Sequence, residues 1–299
     1  MAIDKAQLET WSHQGSITQS SDTYNMIKNA LETNETPYSD KDFKVFLQGS
    51  YRNDTNIWSE SDVDIVIRLD ACFQSDLERL SEPEKTLYRR TFPDADYAHS
   101  DFKRDVLKVL VDKYGKDVKV GDKAITIAAN GNRRKADVIV AIQYRRYHKF
   151  NGTANQAYTE GICFWNRSGT MISNYPELHS KHLTVKHQGT NSYLKPMIRI
   201  LKNIRGRCVS EGLLKDGVAP SYYLEGLLYN VPLGQFAKSY QDCFVNAFKW
   251  IQNNADKSKF VCTNEQYYLL YDNSPVCWPK GNGEAFINAA IKLWNDWGK

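Results

Sequence analysis

Two aspartates separated by a single residue stand at the start of an apolar segment. Asp62 and Asp64 flank Val63, and the apolar run continues from Ile65 to Leu69. Because alternate side chains of a β-strand share a face, both carboxylates are predicted to point to the same side of a strand. Two carboxylates held this close repel each other unless a cation lies between them. Mg²⁺ suits such a pair, since it prefers carboxylate oxygens, water and phosphate.

A Gly-Ser pair precedes the two aspartates. Gly49 and Ser50 follow the apolar run 43–47, which is predicted to form a buried strand that ends in a turn. The backbone N–H groups and the hydroxyl of such a turn suit a phosphate. Asp62 comes 12 residues after Ser50, so that phosphate and metal would meet at one edge of a sheet. Taken singly, these features are also typical of a solvated strand face and an ordinary turn; in combination they favour nucleotidyl transfer.

The motif as a whole resembles a known family. Residues 48–51, 53–56 and 61–66 are similar to the DNA polymerase β-type nucleotidyltransferases and, more narrowly, to the bacterial cGAS/DncV-like nucleotidyltransferases. The resemblance implies an α+β fold, in which a polymerase β-like core with a mixed or antiparallel sheet and flanking helices packs against a C-terminal helical domain, with the active site in the cleft between them. The predicted domains are a core at 1–190 and a helical domain at 191–299.

A third acid lies in another apolar segment. Asp137 opens a predicted strand that runs to Tyr144 and pairs with the segment 119–129 across the turn at Asn130-Gly131. A lone acid in such a strand destabilises the fold unless it is paired or liganded. In the resembled family, a third metal-binding carboxylate lies on a strand beside the first two, and Asp137 matches that place.

The second half of the chain is predicted to be helical, with one helix starting near Ser192. The resemblance implies that Lys202 and Ser221 contact the donor triphosphate and that Tyr222 stacks on the donor base. Lys202 would also suit an ordinary exposed helix position, and Ser221 a helix N-cap. Asn166 lies in a loop and could border a base pocket.

Other patterns concern structure more than chemistry. His179, His182 and His187 could be metal ligands, but no Cys or His cluster completes the set, which favours structural roles. Further helices are predicted in the first half of the chain. The spacing of apolar residues predicts helices at 4–35 and 102–114, and the charge pattern predicts one at 74–91.

Composition restricts the class of protein. The 299 residues are 41% hydrophobic, enough for a full core, and the net charge of +4 suits nucleoside triphosphates without arguing for a long nucleic-acid partner. Six cysteines without a C-x-x-C pair favour a reducing cytoplasm over a disulfide framework or zinc ribbon. The first residues of the sequence contain no apolar segment typical of a signal peptide, and no apolar run approaches membrane-spanning length.

These observations together predict a template-independent nucleotidyltransferase that uses two Mg²⁺ ions, with Mn²⁺ as a substitute, held by Asp62, Asp64 and Asp137. Its substrates would be nucleoside triphosphates: ATP, with GTP, UTP or CTP as further candidates. The resemblance implies release of pyrophosphate and formation of a cyclic di- or trinucleotide second messenger in bacterial anti-phage (CBASS) signalling, by a monomer that works with regulatory or effector proteins. The alternatives are a linear oligonucleotide synthase, transfer to a small-molecule or protein acceptor, and a non-catalytic nucleotide-binding module.

Overall fold

The computed structural model describes residues 2–58, 62–253 and 255–299, so residues 59–61 of the motif lie outside the described part.

The chain divides into two compact units built from discontinuous segments. The helical unit comprises Met1–Ile17, Gly49–Ser61 and Glu177–Lys299, and the sheet unit comprises Thr18–Gln48 and Asp62–Pro176. This division by spatial proximity differs from the predicted boundary at residue 190, which stays a prediction about domains.

A mixed sheet of seven strands forms the centre of the sheet unit in its described residues. The strands are β1 (Phe43–Leu47), β2 (Val63–Asp76), β3 (Val118–Val120), β4 (Ile125–Ile127), β5 (Ala136–Phe150), β6 (Gln156–Trp165) and β7 (Met171–Asn174). Their order is β1-β2-β5-β4-β3, while β6 also pairs with β5 and β7 with β6. The pair β2–β5 is parallel, and the other pairs are antiparallel.

Strand β2 is buried on both of its faces next to the motif. Val63, Ile65 and Ile67 are fully buried, and Val66 is fully buried as well. Consecutive residues of a strand face opposite sides, so both faces of β2 are covered. Such two-sided burial explains why the segment is a nearly continuous apolar run.

The helices surround the sheet or form the helical unit. The sheet unit contains α2 (Thr18–Leu31), α4 (Glu82–Thr91) and α5 (His99–Tyr114), and the remaining helices are α1 (Lys5–Ser12), α3 (Gly49–Arg52), α6 (Pro176–Gly189), α7 (Leu194–Ser210), α8 (Ser221–Asn230), α9 (Tyr240–Asn253) and α10 (Lys280–Asp296). Leu194, Ile198, Leu201 and Ile204 form one apolar stripe of α7 and are fully buried. Among the described residues, no helix is both long and apolar enough to cross a membrane.

Three predicted elements differ from the structure. The helix predicted at 4–35 is two helices, and Asp4 caps the first by accepting from the amide of Gln7. The segment 74–91 begins as strand, because β2 remains paired with β5 as far as Asp76. The strand predicted at 119–129 is the hairpin β3–β4, which turns where the amide of Gly121 donates to the carbonyl of Ala124.

Candidate active site

Strand register brings two of the predicted carboxylates together. In the parallel pair β2–β5, Asp64 is the direct partner of Asp137. Paired residues on neighbouring strands project their side chains to the same face. Asp62 precedes β2 by one residue, and its side chain is 42% exposed, compared with 28% for Asp137. The three acids therefore form one solvent-accessible carboxylate cluster within the sheet unit.

Lys135 neutralises part of this charge. Its Nζ donates a hydrogen bond to Asp62 and lies 3.8 Å from Oδ2 of Asp137. The hydrogen bond with Asp62, together with the negative charges of Asp137 and Asp64, raises the pKa of Lys135 above its ordinary value. Sequence reasoning missed this lysine. The signal was its place two residues before Asp137, which puts both side chains on one face where β5 begins.

A hydroxyl orients the third carboxylate. Strand β4 pairs with β5 so that Thr126 is opposite Asp137, and Thr126 Oγ1 donates to Asp137 Oδ1 over 2.6 Å. One oxygen of Asp137 is thereby held by the sheet, while Oδ2 faces Lys135. Sequence reasoning missed Thr126 because it assumed one long strand in place of the β3–β4 hairpin.

The chemistry of this cluster fits a hard divalent cation, since carboxylate oxygens are the ligands that Mg²⁺ prefers. In the described part of the chain, no three His, Cys, Asp or Glu side chains are already arranged to hold a metal ion. The positive charge among the acids comes from Lys135 instead. The carboxylates thus suit a metal by residue type, and in this structure the ammonium group of Lys135 compensates their charge.

The Gly-Ser pair begins the short helix α3. Gly49 has a φ of 66°, a left-handed conformation that favours glycine. The residue before it, Gln48, donates its amide to the carbonyl of Asp64 over 3.0 Å, which extends the pairing of β1 with β2. Ser50 is half-buried, and its carbonyl accepts from the amide of Thr55 over 2.9 Å. The pairing of β1 with β2 within the sheet unit therefore extends to Gln48 and Asp64.

A buried carboxylate organises the rest of the motif within the helical unit. Glu225 of α8 accepts hydrogen bonds from Thr55 Oγ1 at 2.5 Å and Asn53 Nδ2 at 3.2 Å, and is 2.5 Å from His179 Nε2. Burial alone would raise the pKa of Glu225, but the hydrogen bond with His179, the charge of Lys202 and the Thr55 hydroxyl outweigh it and lower that pKa. Sequence reasoning missed Glu225, although a lone acid in an apolar helix was a usable signal.

Lys202 lies on α7 in the helical unit and is fully buried. The alternative of an ordinary exposed lysine is therefore wrong, and the contact with the donor triphosphate stays a prediction. Its positive charge contributes to the lowered pKa of Glu225. Burial of a lysine is tolerated where an opposite charge lies nearby, so Lys202 serves as part of the electrostatic environment of Glu225.

Ser221 and Tyr222 lie in the first turn of α8. The N-cap of this helix is Pro220 and not Ser221, so the predicted cap was wrong by one residue, and the Ser221 hydroxyl accepts from Arg205 at 3.2 Å. The Tyr222 hydroxyl accepts from Asn264 at 2.9 Å, and its ring lies 5.1 Å from that of His179. Burial raises the pKa of Tyr222 well above its ordinary value, so the phenol remains neutral.

The remaining predicted residues have local partners. Asn166 accepts from the Ser168 hydroxyl and the Thr170 amide, both at 2.8 Å, and so closes the turn between β6 and β7. His182 bonds to the carbonyl of Thr263, and His187 accepts from an amide of α7. The histidines thus have separate structural partners, as the sequence favoured.

Comparisons with known proteins show to which family the chain belongs. Residues 181–295 match the family model of the cGAS/DncV-like nucleotidyltransferase C-terminal helical domain. The chain is 38% identical to the cyclic UMP-AMP synthase of Rhodothermus marinus over 301 residues, which cover 100% of both chains. It is 36% identical to the cyclic nucleotide synthase CdnE01 of Staphylococcus haemolyticus, covering 99% of this chain and 100% of the relative. The solved structure of the Rhodothermus marinus CdnE c-UMP-AMP synthase with Apcpp and Upnpp has a TM-score of 0.88 and 37% identity, covering 99% of this chain and 98% of that one.

The fold combines a mixed sheet with flanking helices and a helical C-terminal part, and it carries a carboxylate cluster on adjacent strands. These features define a nucleotidyltransferase with an α+β fold. The chain belongs to the cGAS/DncV-like nucleotidyltransferases. The family resemblance, the fold class and the enzyme class predicted from the sequence are thereby confirmed.

Proposed function

We propose that this enzyme joins nucleoside triphosphates, without a template, into a cyclic di- or trinucleotide and releases pyrophosphate. The observation that carries the proposal is the pairing of Asp64 with Asp137 on adjacent strands, with Asp62 and Asp137 both beside Lys135. The names of the two curated relatives, a cyclic UMP-AMP synthase and a cyclic nucleotide synthase, support a cyclic product.

The carboxylate cluster would act at the α-phosphate of the donor. Asp62 and Asp64 would hold two Mg²⁺ ions, for which Mn²⁺ can substitute, and Asp137 would complete one of the two sites. Bound ions would neutralise the charge on the phosphates in the transition state. The ribose hydroxyl of the acceptor forms a bond to the α-phosphorus, the bond to the bridging oxygen breaks, and pyrophosphate leaves. The hydroxyl proton passes to Asp137, which the Thr126 hydroxyl holds in place.

Other residues would bind the donor nucleotide. Gly49 and Ser50 would bind its phosphates through backbone amides and the hydroxyl. Ser221 would add a contact to the triphosphate and Tyr222 would stack on the base, with Asn166 bordering a base pocket. Lys202, which is fully buried in this structure, would neutralise part of the charge of the triphosphate. The proposed division is a core domain at 1–190 and a helical domain at 191–299.

The cellular setting follows from the chemistry and the family. All six cysteines are free and buried, which suits a reducing cytoplasm where nucleoside triphosphates are available. We place the enzyme, as a monomer, in bacterial anti-phage (CBASS) signalling, where its product would act on effector proteins of the same system.

The decisive experiment is product analysis after incubation with all four ribonucleoside triphosphates and Mg²⁺. Mass spectrometry should find a cyclic product that resists phosphatase, together with pyrophosphate. The double variant Asp62→Asn, Asp64→Asn should abolish pyrophosphate release while keeping a cooperative thermal transition. Asp112→Asn, which changes an exposed acid on α5, is the matched control and should retain full turnover. Unchanged turnover in the double variant would refute the assigned catalytic residues.

The same experiment separates the alternatives. A phosphatase-sensitive product would indicate a linear oligonucleotide synthase, and a nucleotide covalently attached to a protein or small molecule would indicate transfer to that acceptor. Binding of triphosphates without pyrophosphate release would indicate a non-catalytic module.

A further inference from the structure

The segment Asn53–Thr55 links the Gly-Ser pair to the helices of the helical unit. The amide of Asn53 donates to the carbonyl of Gly49 at 3.2 Å, and the amide of Thr55 donates to that of Ser50 at 2.9 Å. A displacement of this segment would therefore move the backbone of the Gly-Ser pair. The position of the pair thus depends on what holds residues 53–55.

One end of the segment is held by a buried carboxylate. Glu225 is 3% exposed and accepts from the Thr55 hydroxyl and from the Asn53 amide group. His179 lies on the same carboxylate, 2.5 Å from Oε2. When several donors bind one carboxylate, the donors fix the orientation of the carboxylate, and the carboxylate fixes the orientation of the donors. Glu225 therefore connects α6 and α8 to the motif.

The middle of the segment is held by α7. Asp54 has a φ of 55°, a left-handed conformation that is uncommon outside glycine and costs conformational energy. Lys195 Nζ, on a residue that is 8% exposed, lies 2.8 Å from Asp54 Oδ2. Arg199 Nη1 donates to the Asp54 carbonyl at 2.5 Å. These two contacts stabilise a backbone conformation that the chain would otherwise avoid.

We propose that Glu225 and Lys195 are positioning residues for the donor triphosphate. They hold Asn53–Thr55, and through it the Gly-Ser pair, in the conformation that binds the phosphates. This inference rests on the proposed function, in which Gly49 and Ser50 bind the donor. Neither residue touches the nucleotide, so their effect is on affinity for the triphosphate and not on the carboxylate cluster.

The test measures triphosphate affinity separately from stability and turnover. Isothermal titration calorimetry with Mg²⁺ and an ATP analogue that has a methylene bridge between the α- and β-phosphates gives the affinity. Thermal unfolding gives the stability, and pyrophosphate release gives kcat and KM. The variants are Glu225→Gln, Thr55→Val, their combination and Lys195→Met. The controls are Thr55→Ser, which keeps the hydroxyl, and Arg207→Met, which removes an exposed arginine from the same helix α7.

We expect Thr55→Val and Glu225→Gln each to weaken binding of the analogue about tenfold, and the combination to weaken it by little more, because both changes disrupt the same hydrogen-bond network around the Glu225 carboxylate. Lys195→Met should weaken it about fivefold, since the contact through Arg199 remains. KM should rise in parallel while kcat stays within about threefold of the wild type. Thr55→Ser and Arg207→Met should bind like the wild type.

Unchanged affinity in Thr55→Val and Lys195→Met, with lower thermal stability, would overturn the inference and reduce these contacts to a structural role. Additive losses in the double variant would also overturn it. If Glu225→Gln does not fold, Thr55→Val and Lys195→Met still decide the question. A wild type that binds the analogue but forms no cyclic product would refute the proposed function and leave the positioning role to be decided by these affinities.

Discussion

Removal of the Lys135 ammonium should destabilise the protein without metal and improve its affinity for metal. Lys135 donates to Asp62 and lies 3.8 Å from Asp137. In Lys135→Met the three carboxylates lose this compensating charge, while the side chain keeps its length and apolar stem. A divalent ion that enters the wild-type cluster must displace the ammonium, and in the variant it has no such competitor.

The magnitude follows from the exposure of the cluster. Two unit charges 4 Å apart interact by about 1 kcal/mol in water and about 4 kcal/mol near a protein surface. The Lys135 side chain is 43% exposed, so solvent screening reduces the net value to that of exposed pairs, about 0.2–1 kcal/mol each. With two carboxylates in contact, Lys135→Met should lower the free energy of unfolding by about 1 kcal/mol in EDTA, or about 2 °C in Tm. If the metal ion no longer competes with the Lys135 ammonium, its binding free energy improves by the same amount of about 1 kcal/mol, which corresponds to about fivefold tighter metal binding.

Thermal unfolding in EDTA and in saturating Mg²⁺, together with calorimetric titration with Mn²⁺, measures both effects. The difference between wild type and Lys135→Met should be present in EDTA and vanish in saturating Mg²⁺, because the ion replaces the lost charge. Lys123→Met, which changes an exposed lysine in the β3–β4 turn, is the control and should behave like the wild type. Equal destabilisation in both buffers, or weaker Mn²⁺ binding, would show that Lys135 does not compete with metal at these acids.

Two further predictions concern the partners of the carboxylates. Thr126→Val removes the hydroxyl that donates to Asp137 and should lower kcat for pyrophosphate release about tenfold, whereas Thr126→Ser should restore it; equal loss in both variants would contradict this role. The pKa of Glu225 is lowered in the fold, so its contribution to stability is complete above the unfolded pKa of about 4.3 and is lost as the pH falls through the lower folded value. In urea titrations, the free energy of unfolding of Glu225→Gln should therefore fall less steeply than that of the wild type below about pH 4.3, and parallel curves would contradict the assignment.

The grouping of the carboxylates could be predicted from the sequence because side chains alternate between the two faces of a strand with a period of two residues. Alternation placed Asp62 and Asp64 on one face, and a single acid at the start of an apolar segment singled out Asp137. The structure has Asp64 and Asp137 as cross-strand partners. Asp62 precedes β2 by one residue, a difference within the usual uncertainty of strand ends.

Lengths and breaks of elements were less accessible, because tertiary pairing decides them. Residues 74–76 are charged or polar and look helical, yet they remain strand because β5 continues beside them as far as Arg146. The guanidinium of Arg145 lies 3.7 Å from the ring centroid of Phe73, a contact between residues far apart in the chain. No property of the local sequence indicated this stacking.

The contacts of the motif residues Asn53 and Thr55 with Glu225 were the least predictable part of the site. Asn53 and Thr55 belong to the string that identified the family, but their side chains bond to Glu225, which lies 170 residues beyond Thr55. From the sequence, Lys202 suited an exposed helix position, which is the ordinary outcome for a lysine off the apolar stripe of a helix. The structure buries it near Glu225 instead, because a charge can leave water where an opposite charge from another element compensates it. A local sequence pattern cannot reveal such compensation. The strand residues of the motif can therefore be interpreted from the sequence, whereas the roles of Asn53 and Thr55 become clear only once the packing of the helices is known.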